Sequence, residues 1–209
     1  MYIDLTHEIS SQMPYYPGTP APSLRRFCTI EESGYTELEI YINTHTGTHI
    51  DAPAHIITNG LNLSDFEISQ FTGKAVCIDC NSLNEIGVGD ISRSIESSNP
   101  VEFIVLKTGW SKKWGDKSYF EGFPVLTEAA ARFIADKKIK VVCMDVISAD
   151  RIENSHLPIH NILLGCGVMI AENLNIPDNF PVNTPFDIFL IPLKIKEADG
   201  SPLRAFARI

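Results

Sequence analysis

Apolar positions in this chain fall into short runs, and most of those runs have the period of an extended backbone. Residues 35–44 alternate apolar and polar side chains and are rich in strand formers, which predicts a strand. The segments 2–9, 74–80, 101–107, 187–195 and 203–207 also read as strands, and 140–146 as a strand of the buried type. Helical patterning is scarcer. It is clearest over 127–135, where Thr127 stands ready as an N-cap, and a shorter helix is predicted over 90–98. Turn signals punctuate these runs at Asn59-Gly60 and Asp199-Gly200, and the proline-rich segment 13–22 excludes a helix there.

One stretch breaks the apolar pattern. Between Asn43 and His55 the chain carries three of its six histidines and an aspartate. His45, His49, Asp51 and His55 all lie on odd positions, so an extended backbone would present them on one face. A helix is disfavoured by the threonines, Gly47 and Pro53. Positions four apart in a strand are roughly 13 Å from each other. Two imidazoles bound to one metal at about 2.0–2.1 Å cannot start so far apart. If His45 and His49 share an ion, the chain bends between them, and Gly47 is the place for that bend. His49 and Asp51, about 7 Å apart, need no bend. This donor set suits Zn²⁺ or Mn²⁺. No lysine or arginine occurs between positions 27 and 73 to neutralise the cluster, and the chain has no G-x-S-x-G elbow for a serine nucleophile.

A second polar group follows later. Pro158 keeps His156 and His160 off a common helix, and His160 opens a short helix-like segment. Glu172 ends the longest apolar run, 162–171, where an ionised carboxylate is costly unless paired or coordinated. It is either a ligand or a carboxylate surfacing at a strand end. Tyr15 and Tyr16 are either packing residues or a substrate wall. The loop bearing Trp110, Trp114, Tyr119 and Phe120 either shapes a pocket or interface, or is simply packed.

Composition narrows the classes. With 17 basic and 26 acidic residues in 209, the net charge of −9 argues against nucleic acid or an anionic membrane as partner. The N-terminal residues lack the pattern of a signal peptide, and no apolar run is long enough to span a bilayer. Cys77 and Cys80 form a C-x-x-C within a strand, where they face opposite ways, and no second C-x-x-C exists. The five cysteines therefore read as buried, reduced thiols of a cytoplasmic protein, and 1–209 as one domain.

The run His45-Thr46-Gly47-Thr48-His49-Ile50-Asp51-Ala52-Pro53-Ala54-His55 resembles the H-x-G-x-H-x-D-x-P-x-H signature of the cyclase-like metal hydrolase family, which includes bacterial kynurenine formamidase and isatin hydrolase. Supporting likeness extends through Tyr16-Pro17-Gly18, Thr108-Gly109-Trp110, His160, Glu172-Asn173-Leu174 and Asp199-Gly200-Ser201-Pro202. The resemblance implies an α/β fold of the swivelling β/β/α type, with a mixed central sheet and flanking helices, assembled as a homodimer or homotetramer. It implies one metal on His45, His49 and Asp51, a second on Asp51, His160 and Glu172, and His55 as acid/base. Tyr16 and Trp110 would touch a small-molecule substrate. The expected activity is hydrolysis of a small amide, an aryl formamide first and a cyclic amide or lactone second, by metal-activated water. A metal-binding protein without catalysis is the rival from another class. His7 and His156 receive no role.

Overall fold

The computed structural model describes residues 1–98 and 100–209. Twelve strands run in chain order as β1 (Tyr2–Asp4), β2 (Ser23–Cys28), β3 (Glu37–Tyr41), β4 (His49–Asp51), β5 (Thr72–Asp79), β6 (Glu85–Ile86), β7 (Phe103–Lys107), β8 (Val125–Leu126), β9 (Val141–Met144), β10 (Met169–Glu172), β11 (Pro185–Pro192) and β12 (Gly200–Arg208). Four α-helices accompany them: α1 (Ile30–Ser33), α2 (Val88–Ser97), α3 (Glu128–Asp136) and α4 (Pro158–Gly165).

Eight strands form a mixed sheet in the order β1-β12-β11-β5-β7-β9-β10-β4. Strands β5, β7, β9 and β10 are parallel, and β4, β11 and β12 are joined antiparallel. A further pairing of β12 with β4 closes the sheet into a barrel-like ring. The closure matters for chemistry, because it sets the short strand β4 between β10 and β12.

The apolar runs of the parallel strands are explained by burial on both faces. Val76, Ile78, Ile104, Leu106, Val142 and Met144 pack outward against Ile91 and Ile95 of α2, Ile134 of α3 and Leu163 of α4. Their neighbours Ala75, Cys77, Phe103, Val105, Val141 and Cys143 point inward onto Ile50, Ile188, Leu190 and Ala205. Cys77 and Cys80 fall in these two different clusters, as the strand reading requires. Helix α3 starts where foreseen, with the Thr127 hydroxyl accepting from Ala130 N–H at 3.2 Å.

Several sequence expectations need correction. The first strand stops at Asp4, with only a bridge from Thr6 to Leu174 beyond it. Segment 35–44 does not join the main sheet. Its core, β3, pairs with the unforeseen β2 in a separate two-stranded arm whose faces are largely exposed. Asp199-Gly200 is not a hairpin turn; the chain reverses at Lys196 and Glu197, where Glu197 adopts φ +59°, and β12 starts at Gly200. Four cysteines are buried free thiols, but Cys166 is exposed, because it caps the end of α4 where the chain leaves the core.

Candidate metal centre

The 43–55 stretch is not one extended face. Only His49 and Asp51 belong to a strand; His45 precedes it in a turn, and His55 lies in a 3₁₀ turn opened by Pro53. Between His45 and His49 the backbone bends at Gly47, which takes φ +66°. The bend brings the two rings to 5.1 Å between centroids.

Strand pairing assembles the rest. In the antiparallel β4–β10 ladder, Glu172 stands directly opposite His49 and Ile170 opposite Asp51. His49 Nε2 lies 3.5 Å from Glu172 Oε2 and 3.3 Å from Asp51 Oδ1. Helix α4 supplies His160, whose Nε2 is 3.3 Å from Glu172 Oε1 and 3.7 Å from Asp51 Oδ2. His45 Nδ1 approaches Asp51 Oδ1 at 2.7 Å. Asp51 Oδ1 thus faces nitrogens of His45 and His49, and Oδ2 faces that of His160. Donor atoms of His45, His49 and Asp51 lie within 4.8 Å of one another, as do those of Asp51, His160 and Glu172.

Outer hydrogen bonds leave each ring with one nitrogen aimed at the cluster. His160 Nδ1–H donates to Asp150 Oδ2 at 2.7 Å. The same carboxylate accepts the N–H groups of Ile159 and His160, so it caps α4 and orients its histidine together. His49 Nδ1–H donates to the Gly47 carbonyl at 2.8 Å. Ala149 N–H donates to Glu172 Oε1 at 2.7 Å.

The electrostatics ask for cations. Asp51, Glu172 and Asp150 are buried, and among the described residues no lysine or arginine lines the cavity above them. Burial would depress the His45 pKa, but Asp51 and Asp199 outweigh it and raise it to about 10. His160 is likewise raised to about 10, against burial, by Asp150, Glu172 and Asp51. Burial would raise Asp51, yet the facing His49 and His45 hold it well below the usual carboxylate range. Asp51 Oδ2 is buried and accepts no hydrogen bond. Such an orphaned anionic oxygen is costly unless a positive charge meets it. Donor atoms about 2.1 Å from one tetrahedral ion stand roughly 3.4 Å apart, the spacing of the His49, His160, Asp51 and Glu172 atoms. The donor set therefore fits a metal: the donor atoms of His45, His49 and Asp51, and those of Asp51, His160 and Glu172, lie close enough together to hold one.

His55 stands beside these groups. Its ring is 4.0 Å from that of His45 and 6.1 Å from that of His160. Burial is the main influence that lowers its pKa, aided by the nearby His45 charge and opposed by Asp51. A cavity of about 280 Å³ opens over the cluster, walled by Pro14, Tyr15, Tyr16 and Thr19, by Ile147 and Ser148, and by Leu157 and Asn173. Tyr16 is one of these walls. Trp110 is not a wall of this cavity. Its indole N–H donates to the Tyr119 carbonyl at 2.9 Å, and its ring packs into the outer core beneath Lys113. His156 is exposed, and His7 is buried in a stack on Trp114.

Sequence reasoning gave no role to Asp150, Asn173 or Asp199. Asp150 and Asn173 are bound to the site through buried hydrogen bonds. Asp199 Oδ2 lies 3.0 Å from His45 Nε2 and 3.3 Å from His55 Nδ1. The signal available for them was the family resemblance, since Asp150, Asn173 and Asp199 all stand in segments that carry it.

A family model described as putative cyclase matches residues 3–151. A kynurenine formamidase of Bacillus cytotoxicus is 31% identical over 209 residues, covering 99% of this chain and 97% of the relative. One from Geobacillus thermodenitrificans is 27% identical over 208 residues, with coverage of 99% and 97%. Among solved structures, isatin hydrolase A from Labrenzia aggregata bound to benzyl benzoate has a TM-score of 0.86 at 25% identity, covering 99% of this chain and 93% of that one. A potential metal-dependent hydrolase with cyclase activity has a TM-score of 0.81 at 28% identity, with coverage of 99% and 96%.

Proposed function

The chain belongs to the putative cyclase family, and we propose that it is a metal-dependent amidohydrolase acting on an aryl formamide, N-formylkynurenine first among them. The observation that carries this reading is the Asp51 carboxylate. Its Oδ1 faces His45 and His49, while its Oδ2 faces His160 and has no hydrogen-bond partner. We assign His45, His49 and Asp51 to one ion and Asp51, His160 and Glu172 to a second, Zn²⁺ in preference to Mn²⁺. When bound, such ions acidify water and polarise a carbonyl, bringing hydrolysis within reach at neutral pH.

The protein's own groups do the rest. Asp150 and the Gly47 carbonyl hold His160 and His49 in fixed tautomers. Tyr16, Ile147 and Leu157 offer apolar surface to an aryl ring, with its amide facing the carboxylates. His55, outside both ligand groups, is the proton carrier. With its pKa lowered it is neutral near pH 7, able to take a proton and return it to the leaving nitrogen.

A homo-oligomer is part of the proposal. The β2–β3 arm exposes Phe27, Ile30, Tyr35, Leu38, Ile40 and Tyr41, and an isolated hairpin with such faces calls for cover by a second copy. A cytoplasmic location is supported by the five unpaired thiols, and 1–209 is taken as one catalytic domain.

The test is formate release from N-formylkynurenine by the zinc-loaded protein. Turnover of roughly 1–10³ s⁻¹ is expected. His55→Ala should keep its metal and lose most turnover, whereas Asp51→Ala should lose both. If His55→Ala empties the site of metal, the assignment of roles is wrong. If the folded, loaded protein releases no formate, a cyclic amide such as isatin becomes the substrate to try, a choice favoured by the apolar cavity walls.

A further inference from the structure

Among the described residues, Asp199 is the one carboxylate in contact with two functional histidines that belongs to neither ligand group. Its backbone is pinned, since Ala52 N–H donates to its carbonyl at 2.8 Å and the next residue, Gly200, pairs with Asp51 in the β12–β4 ladder. Its Oδ2 lies within hydrogen-bond range of His45 Nε2 and close to His55 Nδ1. No other carboxylate approaches His55 within ion-pair distance among the described residues.

The protons on these rings can be placed from the geometry. His45 turns Nδ1 toward Asp51, so that nitrogen offers its lone pair to a cation there. The proton of the neutral ring then sits on Nε2, which faces Asp199. Asp199 is an acceptor, so His55 must also present an N–H, at Nδ1. His55 Nε2 is left with the free lone pair. A third ion held by His45, His55 and Asp199 is the competing arrangement, because their donor atoms also cluster within 4.8 Å. It would require both nitrogens of His45 to surrender lone pairs at once, leaving the ring an imidazolate.

We propose that Asp199 is a positioning residue: one carboxylate oxygen accepts Nε2–H of the ligand His45 and Nδ1–H of His55, fixing both tautomers together and leaving His55 Nε2 as the atom that exchanges protons with substrate. The part concerning catalysis rests on the amidohydrolase reading; the tautomers and the metal affinity do not.

Asp199→Ala tests it in the zinc-loaded full-length chain, because it removes the shared acceptor, whereas an asparagine could turn its amide oxygen to the same place and keep both N–H groups. Three results are expected. In ¹⁵N-histidine NMR spectra, wild-type His55 carries its proton on Nδ1 and the variant does not. Zinc affinity, measured by chelator competition, falls about 10–100-fold. Turnover falls roughly 10²–10⁴-fold with little change in KM, and the double variant with His55→Ala is no slower than His55→Ala alone. Additive losses in the double variant would overturn the proposal, since Asp199 would then act apart from His55. So would an ion bound by wild type and absent only from Asp199→Ala, which would make Asp199 a ligand. A wild-type protein that hydrolyses nothing would defeat the amidohydrolase reading while the NMR and affinity results still decided the role of Asp199.

Discussion

The buried Tyr119 hydroxyl donates to Asn173 Oδ1 at 2.7 Å, and this contact ties the aromatic loop to the residue that holds the Gly47 bend. With its oxygen engaged, Asn173 must point its amide nitrogen the other way, and Nδ2 donates to the Gly47 carbonyl at 3.0 Å. That carbonyl also receives Nδ1–H of His49. Tyr119 therefore helps hold the Gly47 bend and the tautomer of His49, although it contacts neither. Trp110 supports it from behind through its indole N–H. The loop acts as a brace.

Tyr119→Phe removes only the hydroxyl and leaves Asn173 Oδ1 buried without its donor. The expected cost is about 1–3 kcal/mol of stability. Because the brace ends on His49, a ligand in the proposed metal site, zinc affinity should fall about tenfold as well. Thermal unfolding and chelator competition measure the two effects. A variant that loses stability but binds zinc as tightly as wild type would show that the brace does not reach His49.

Gly200 is required for a different reason. A Cβ there would stand 2.6 Å from His45 Cε1 and 3.0 Å from the Ile50 carbonyl. The carbonyl belongs to the fixed β4 ladder, so the His45 ring has to move instead. Gly200→Ala should thus lower zinc occupancy and turnover together, with a further loss of about 1–3 kcal/mol from overpacking. Zinc content by elemental analysis, set beside the melting temperature, separates the two. Full occupancy with normal turnover would refute this account.

Asp199-Gly200 also shows where the sequence stopped being informative. The pair has the chemistry of a tight turn, and sequence alone cannot distinguish that from a strand start passing beneath a histidine ring. The contact that gives it meaning joins residues 154 positions apart. His45, His49, Asp51 and His55 were legible because their relationship is local, and the need for a bend at Gly47 followed from bond lengths alone. The parallel strands were legible because burial on both faces leaves an uninterrupted apolar run. The β2–β3 arm was half legible: β3 alternates, but β2 carries Arg25 and Arg26 side by side and has no apolar face to betray it. Trp110 stayed ambiguous because an aromatic in a loop looks the same from sequence whether it lines a cavity or braces one.

Metal removal should inactivate the protein without unfolding it. The two apolar clusters on either side of the sheet contain none of the proposed ligands. In the metal-free fold His45 and His160 have pKa values of about 10, so both are protonated at neutral pH and face the carboxylates as ion pairs. Chelation should abolish turnover, preserve the far-ultraviolet circular dichroism and lower the melting temperature, and zinc should restore both losses. Collapse of the secondary structure on chelation would instead indicate a structural metal.

His7 gives the fold a sensitivity to acid that is separate from the metal ligands. Its ring stacks on Trp114 with centroids 4.0 Å apart and planes 7° from parallel, and its Nε2 has no hydrogen-bond partner. Burial lowers its pKa from 6.5 to about 4. Between those values the unfolded chain holds a proton that the folded chain does not, so stability falls as the pH drops from 6.5 toward 4 and is unaffected by His7 above that window. Over the full window the loss is on the order of 3 kcal/mol, at 1.36 kcal/mol per unit. His7→Phe keeps an aromatic ring against Trp114 and removes the titration. Urea unfolding of metal-free wild type and variant at a series of pH values measures the difference directly. Relative to the variant, the wild type should lose stability progressively below pH 6.5; a difference that stays constant down to pH 4 would mean His7 is not held neutral by the fold.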